Sequence, residues 1–120
     1  MIKLSDAEWK IANCLWERGA MTITELTKMF KDENGWSKNT IITLLKRMEE
    51  KGAVSYVQEE RAKRFSACID RSEAELQETT SFLDKVYQGR IGLMVSNLIK
   101  SDKLSKEDIE ELQKILEEQE

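Results

Sequence analysis

Residues 36–52 read WSKNTIITLLKRMEEKG and carry the signals of a single amphipathic helix. Ser37 is a favoured N-cap residue because its hydroxyl can accept a hydrogen bond from a free backbone amide. Gly52 can adopt the left-handed conformation that commonly ends a helix. Between them, apolar residues recur at helical spacing and form one stripe, which consists of Ile41, Leu44, Leu45 and Met48. We therefore predict a helix that is buried along one side and exposed along the other.

The exposed side of this helix begins with short hydrogen-bonding side chains and has no carboxylate in its first turn. Asn39 can bind adenine through two hydrogen bonds, and the methyl groups of Thr40 and Thr43 can pack against the methyl group of thymine. A helix of this length spans about 20 Å and can lie along the major groove of DNA. We predict that these three residues contact bases, while the same composition also suits the solvated face of an ordinary surface helix.

Two further helices are predicted before this one, and each begins with a capping box, in which a hydroxyl and a carboxylate satisfy each other's backbone amides. The first box pairs Ser5 with Glu8. The second pairs Thr22 with Glu25, and its helix is expected to end at a polar turn over residues 31–35. The second and third helices then form a helix-turn-helix pair.

After residue 52 the apolar pattern changes from helical to alternating, which predicts a β-hairpin with strands over residues 53–57 and 64–69. Three helices followed by a hairpin with a charged connection are typical of a winged helix-turn-helix domain. Basic residues of the third helix and of the wing are candidates for phosphate contacts, which position a protein on DNA without reading its sequence. These candidates are Lys38, Lys46, Arg47, Lys51, Arg61, Lys63 and Arg64.

A second domain is predicted over residues 71–120, with three amphipathic helices and a different charge. Residues 1–69 hold 12 basic and 10 acidic side chains, whereas residues 70–120 hold the other 7 of 19 and 13 of 23. An acidic unit of about 50 residues cannot bury all its apolar faces alone, so we predict a homodimer. The expected interface residues are Leu83, Val86, Tyr87, Ile91, Met94, Val95, Leu98, Ile99, Ile109, Leu112 and Leu116. The fold class is thus mainly α, with a winged-helix domain over residues 1–70 and a three-helix dimerisation arm.

Composition excludes several classes of function. The chain of 120 residues contains no histidine, which removes Ser-His and Cys-His nucleophile pairs and most zinc sites. Cys14 and Cys68 lack a CxxC partner, so we expect both to be reduced and buried, with no metal or other cofactor. No apolar run approaches the roughly 20 residues that span a membrane, and no signal-peptide pattern is present. We predict a cytoplasmic protein without membrane insertion, and an enzyme is the least favoured class.

Three segments of the chain together resemble the penicillinase repressor family, the group that contains BlaI, MecI and CopY. They are SDAEWKIANCLW, WSKNTIITLLKRMEEKGAV and FLDKVYQGRIGLMVSNLIKSDKLSKEDIEELQKIL. The resemblance implies a homodimeric repressor that binds inverted repeats of the TACA/TGTA kind. By position it assigns base contacts to Asn39, Thr40 and Thr43 and places Ser37 near a phosphate. The chain departs from the family pattern at Lys38, where proline is common, and at Ile42, where a basic residue can occur.

The resemblance also bears on regulation. In the β-lactam-responsive branch, a membrane sensor-protease cleaves an Asn-Phe bond in the dimerisation arm, and the matching bond here is Asn97–Leu98. The copper-responsive branch ends in a cysteine-rich motif, which is absent after Cys68. We therefore expect a repressor of β-lactam resistance genes that cleavage releases from DNA. Two alternatives stay open: a winged-helix protein-interaction adaptor, and a metal-responsive repressor of this family that acts without a cysteine motif.

Overall fold

The computed structural model describes residues 2–119 and contains six helices and a small three-stranded antiparallel sheet. The elements are α1 (Asp6–Arg18), β1 (Met21–Thr22), α2 (Ile23–Asn34), α3 (Lys38–Glu50), β2 (Val54–Gln58), β3 (Lys63–Ala67), α4 (Arg71–Tyr87), α5 (Ile91–Lys100) and α6 (Lys106–Glu118). The predicted fold class, mainly helical with a small β wing, is confirmed. The chain divides within α4 into two compact units, which we call the head (Met1–Leu76) and the arm (Gln77–Glu120).

The helix starts of the head follow the predicted capping chemistry. The hydroxyl of Ser5 accepts a hydrogen bond from the Glu8 amide, and the Glu8 carboxylate accepts one from the Ser5 amide. Thr22 and Glu25 make the same reciprocal pair at the start of α2. The prediction of a polar turn over residues 31–35 is wrong, because α2 continues to Asn34 and ends at Gly35 in the left-handed conformation. Charged side chains can occupy the solvent side of a last helical turn, so their presence did not mark its end.

The sheet contains one strand that the sequence did not reveal. β1 pairs with β3, with Met21 opposite Phe65 and Thr22 opposite Arg64, and β3 lies between β1 and β2. A strand of two residues is too short to show an alternating pattern, which is why it was missed. The hairpin of β2 and β3 is present, and the bond from the Glu59 amide to the Ala62 carbonyl closes it at 2.8 Å.

The core of the head lies where α1, α2 and α3 meet the sheet. Its buried apolar side chains are Leu4, Ile11, Ala12, Cys14, Leu15, Met21, Leu26, Phe30, Ile41, Leu44, Leu45, Met48, Ala53, Val54 and Phe65. The whole predicted stripe of α3 is among them. Burying four such side chains stabilises the fold by roughly 6–12 kcal/mol relative to leaving them exposed. Any rotation of α3 about its axis would forfeit part of that energy, so the core fixes which residues of α3 face outward.

The end of α3 is tied to the start of α1 by a buried carboxylate. Glu8 is 1% exposed, and it accepts hydrogen bonds from the Ser5 amide and the Lys51 ammonium group. Lys51 also donates to the Lys3 carbonyl at 2.9 Å. Burial raises the pKa of Glu8, but the hydrogen bonds from Lys51 and Ser5 outweigh it and hold that pKa below its ordinary value. The positive charge of Lys51 is therefore paired with the Glu8 carboxylate inside the head.

The two cysteines differ in environment. Cys14 is buried between α1 and α2, and burial raises the pKa of its thiol. Cys68 is exposed, so the expectation that both cysteines are buried is wrong. It lies just beyond β3, which ends at Ala67, whereas the sequence predicted a strand that continues to residue 69. Both thiols are free.

The arm leaves its apolar side chains uncovered. α6 begins with a capping box between Ser105 and Asp108. In α4, α5 and α6, every described side chain is either exposed or half-buried. Five of the expected interface residues are exposed: Val86, Ile91, Ile99, Leu112 and Leu116. Within residues 2–119, the helices are too short or too polar to cross a membrane.

The Glu8–Lys51 pair makes the stability of the head sensitive to Lys51. We expect Lys51→Met to lower the free energy of unfolding by about 1–3 kcal/mol, because it leaves a buried carboxylate without its cation. Lys46→Met, at an exposed position in α3, should change it by less than about 0.5 kcal/mol. Urea unfolding at neutral pH measures both, and equal values for the two variants would contradict this role.

The same pair gives a pH dependence. Because the pKa of Glu8 is lowered in the folded state, its contribution is fully present above the ordinary value of 4.5 and is lost as the pH falls through the lowered value. Urea midpoints from pH 7 down to pH 3 should fall less steeply for Glu8→Gln than for the unmodified protein. Parallel curves would show that Glu8 has the same pKa folded and unfolded.

Candidate nucleic-acid interface

α3 begins differently from the other helices that a serine or threonine caps. In α1, α2 and α6 the third residue is an acid that completes a capping box, namely Glu8, Glu25 and Asp108. In α3 the third residue is Thr40, whose amide donates to the Ser37 hydroxyl at 3.3 Å. Its hydroxyl lies 3.2 Å from the same oxygen. The first turn of α3 contains no acid, so no carboxylate offsets the positive end of the helix dipole there, and an approaching phosphate would be favoured.

The outward face of α3 presents the polar residues that the sequence singled out. Asn39 and Thr43 are exposed and lie four residues apart, so they share one face of the helix, and Thr40 beside them is half-buried. Lys46 and Arg47 continue that face by a further turn and are both exposed. The structure thus gathers donors, acceptors and positive charges on a single side of α3, as a helix that enters a DNA groove requires.

A groove joins the start of α3 to the wing. Its volume is about 290 Å³, and it is lined by Thr22, Ile23, Thr24, Lys38, Gln58, Arg61, Ala62 and Lys63. Three candidate phosphate-contacting residues, Lys38, Arg61 and Lys63, therefore meet at one concave surface. The Lys63 ammonium lies 4.4 Å from the centre of the Tyr56 ring. Over residues 2–119, none of the three cations forms an ion pair with a carboxylate, which leaves their charge available to an anion.

Sequence reasoning missed the side of this groove that α2 contributes. Thr22 and Thr24 reach the groove because β1 pairs with β3 and so brings the start of α2 beside the wing. A strand of two residues gave no signal for that contact. The capping box of Thr22 did mark the start of α2, and it was the only local hint that a helix terminus lies here.

The wing tip carries charges of both signs, and one candidate phosphate-contacting residue, Arg64, is already paired with carboxylates. The four tip residues include Glu59 and Glu60, with Arg61 as the single basic side chain. The Arg64 guanidinium contacts Glu59 at 2.9 Å and Glu25 at 3.1 Å. The hydrogen bond to Glu59, together with the charges of both carboxylates, raises the pKa of Arg64. Among the basic residues of the wing, Arg64 is therefore the one that forms ion pairs with carboxylates of the described head.

In the part of the chain that the structure describes, no three cysteine, aspartate or glutamate side chains are grouped closely enough to hold a metal ion.

Comparison with known proteins identifies the family. Residues 4–118 match the family model described as Penicillinase repressor. A penicillinase repressor from Bacillus licheniformis is 35% identical over 116 residues, which cover 97% of this chain and 91% of that protein. The chain belongs to the penicillinase repressor family. The methicillin resistance regulatory protein MecI from Staphylococcus aureus is 27% identical over 95% of this chain and 93% of its own length. Penicillinase repressors are transcriptional repressors and not enzymes, in agreement with the predicted class of function.

Solved structures of the family have the same fold. The solution structure of the DNA-binding domain of the repressor BlaI has a TM-score of 0.55 and 32% identity, and covers 61% of this chain and 93% of its own. The Bacillus licheniformis BlaI monomeric form in complex with the blaP half-operator has a TM-score of 0.53 and 31% identity, over 59% of this chain and 87% of its own. These matches confirm the winged-helix architecture.

The acid-free start of α3 can be tested at Thr40. Thr40→Glu and Thr40→Gln both place a side chain at this position that can complete a capping box, so neither should lower the free energy of unfolding. Only the glutamate adds a negative charge where a phosphate is expected. Fluorescence anisotropy should therefore show that Thr40→Glu binds operator DNA at least about tenfold more weakly than Thr40→Gln. Equal affinities would mean that the start of α3 does not approach DNA.

Proposed function

We propose that this protein is a dimeric repressor that binds inverted-repeat operators of the TACA/TGTA kind and controls β-lactam resistance genes. The observation that carries the proposal is the exposed face of Asn39 and Thr43 on α3, next to the groove that Lys38, Arg61 and Lys63 line. The half-operator complex of the BlaI relative supports DNA as the partner, and the names of the penicillinase and methicillin-resistance relatives support the class of genes.

Each group of residues has its own role on DNA. Asn39, Thr40 and Thr43 contact base edges and supply specificity. The remaining side chains contact the backbone and supply affinity and register, and they are Ser37, Lys38, Lys46, Arg47, Arg61 and Lys63. Ile42 lies on the same helix and is 39% exposed, where it offers an apolar contact instead of a positive charge.

The arm joins two copies of the chain. Its helices leave several large apolar side chains exposed, and a second copy would cover them. One head offers few base contacts, and linking two heads raises the effective concentration of the second at an inverted repeat. The interface residues named from the sequence, from Leu83 to Leu116, remain our assignment of this surface.

Release follows cleavage of the arm at Asn97–Leu98 by a membrane sensor-protease. Both residues lie inside α5, where Asn97 is exposed and Leu98 is half-buried. A protease binds its substrate in an extended conformation, so α5 must open locally before the bond can be cut. A helix of ten residues is marginal by itself, which makes such an opening accessible. Cutting α5 would remove the coupling between heads and with it the bivalent gain in affinity.

Base reading can be separated from general DNA affinity. Asn39→Ala and Thr43→Ala should each weaken binding to an inverted-repeat operator by about 5–100-fold, because each loses a base contact. Both should leave affinity for scrambled DNA nearly unchanged, whereas Lys63→Met should weaken binding to operator and scrambled DNA equally. Anisotropy titrations over a range of salt concentrations measure this. A protein-interaction adaptor would show no DNA affinity even at low salt.

The dimer can be tested within α5. Val95→Asp should convert the dimer to a monomer in sedimentation velocity experiments, because a buried unpaired charge opposes association. Asn97→Asp places the same carboxylate two residues away at an exposed position and should leave the dimer intact. If Val95→Asp sediments like the unmodified protein, the interface does not include that face of α5.

A further inference from the structure

Arg64 joins three segments of the head through one side chain. It lies in β3, and its Nε donates to Glu59 at the wing tip at 2.9 Å. Its Nη1 donates to Glu25 in the first turn of α2 at 3.1 Å and to the Ala20 carbonyl, which precedes β1, at 3.2 Å. The planar guanidinium suits this task, because its donors diverge in fixed directions and can hold several acceptors at once.

The contact with Glu25 reaches the start of α2 itself. The same Glu25 Oε1 atom accepts the Arg64 guanidinium and, at 2.9 Å, the Thr22 amide that it caps. Thr22 is also the residue that β1 places opposite Arg64 in the sheet. The helix terminus, the short strand and the wing therefore meet at a single carboxylate oxygen.

This junction lies next to the groove of candidate phosphate contacts. Residues from both sides of the junction line that groove, with Thr22 and Thr24 from the α2 side and Arg61 and Lys63 from the wing. The position of the wing relative to α2 thus sets the spacing between the wing cations and Lys38 of α3. Only two residue pairs connect β1 to β3, so the side-chain contacts of Arg64 add to a short backbone connection.

We propose that Arg64 is a positioning residue that holds the wing against the start of α2, so that Arg61, Lys63 and Lys38 meet the same stretch of DNA backbone. The proposal rests on the DNA-binding function proposed above. It replaces the phosphate contact that the sequence suggested for Arg64, because two carboxylates already balance this guanidinium. Exposed ion pairs contribute little to overall stability, so the head should stay folded when the contact is lost.

The wing tip contains a matched pair of carboxylates for the test. Glu59 contacts Arg64, whereas the side chain of Glu60 next to it forms no hydrogen bond or ion pair with the described residues. Removing either one takes a negative charge away from the DNA-facing side, and electrostatics alone would then strengthen binding. If Arg64 positions the wing, Glu60→Met should bind operator DNA as well as or better than the unmodified protein, whereas Glu59→Met should bind about two- to fivefold more weakly.

A double variant shows whether the loss of DNA affinity in Glu59→Met acts through Arg64. Arg64→Met combined with Glu59→Met should bind no more weakly than Arg64→Met alone, because both changes break the same contact. If Arg64 contacted a phosphate instead, Glu59→Met would free the guanidinium and tighten binding, and that result would overturn the proposal. Absence of any salt-dependent operator binding by the unmodified protein would refute the proposed function rather than this inference.

A measurement without DNA tests the same contact directly. Amide hydrogen exchange of the unmodified protein and of Arg64→Met should show faster exchange in the wing and β1 of the variant. Exchange in α1 and in the buried part of α3 should be unchanged, since the core does not depend on Arg64. Equal exchange in the wing of both proteins would show that Arg64 does not hold it, whatever the DNA experiments give.

Discussion

The burial of one stripe of α3 is the constraint on which the head depends. Ile41, Leu44, Leu45 and Met48 are all buried, so the helix cannot rotate without exposing part of them. Because the helical repeat is fixed, the same packing decides that Asn39 and Thr43 face outward. The residues that would read DNA are thus oriented by residues that never touch it. The apolar side of α3 thus fixes the orientation of the helix, and the polar side chains on its opposite side supply the groups for the proposed DNA contacts.

Five basic residues near α3 and the wing fall into two groups, although the net charge of the chain is -4. Lys51, at the C-terminal end of α3, and Arg64, in the wing, form ion pairs with carboxylates of the head. Lys38, Arg61 and Lys63 meet at the groove without carboxylate partners in the described residues, so their charge can attract an anion. The net charge of the chain is a poor guide to DNA binding, because a phosphate interacts mainly with the charged groups closest to it. α3 adds to this arrangement by keeping acids out of its first turn.

Local patterns predicted most of the fold, and long-range contacts account for what they missed. Capping boxes, the α3 stripe and the switch to an alternating pattern are written in neighbouring residues, so the helices and the hairpin could be predicted. Pairing of β1 with β3 spans more than 40 residues and involves only two positions, which leave no periodic signal. The same holds for Arg64 and Glu25, which lie 39 residues apart. A lysine or arginine in a sequence shows that a charge is present, and only the fold shows which carboxylate it meets.

A nuclear magnetic resonance titration tests the central claim most directly. Isotope-labelled protein is titrated with a duplex that contains one TACA/TGTA half-site, and amide shifts are followed for the whole chain. If the outward face of α3 reads the DNA, the largest shifts should cluster from Lys38 to Arg47, with a second group at Arg61 and Lys63. Shifts confined to the arm, or spread evenly over the basic surface with α3 unaffected, would contradict the account.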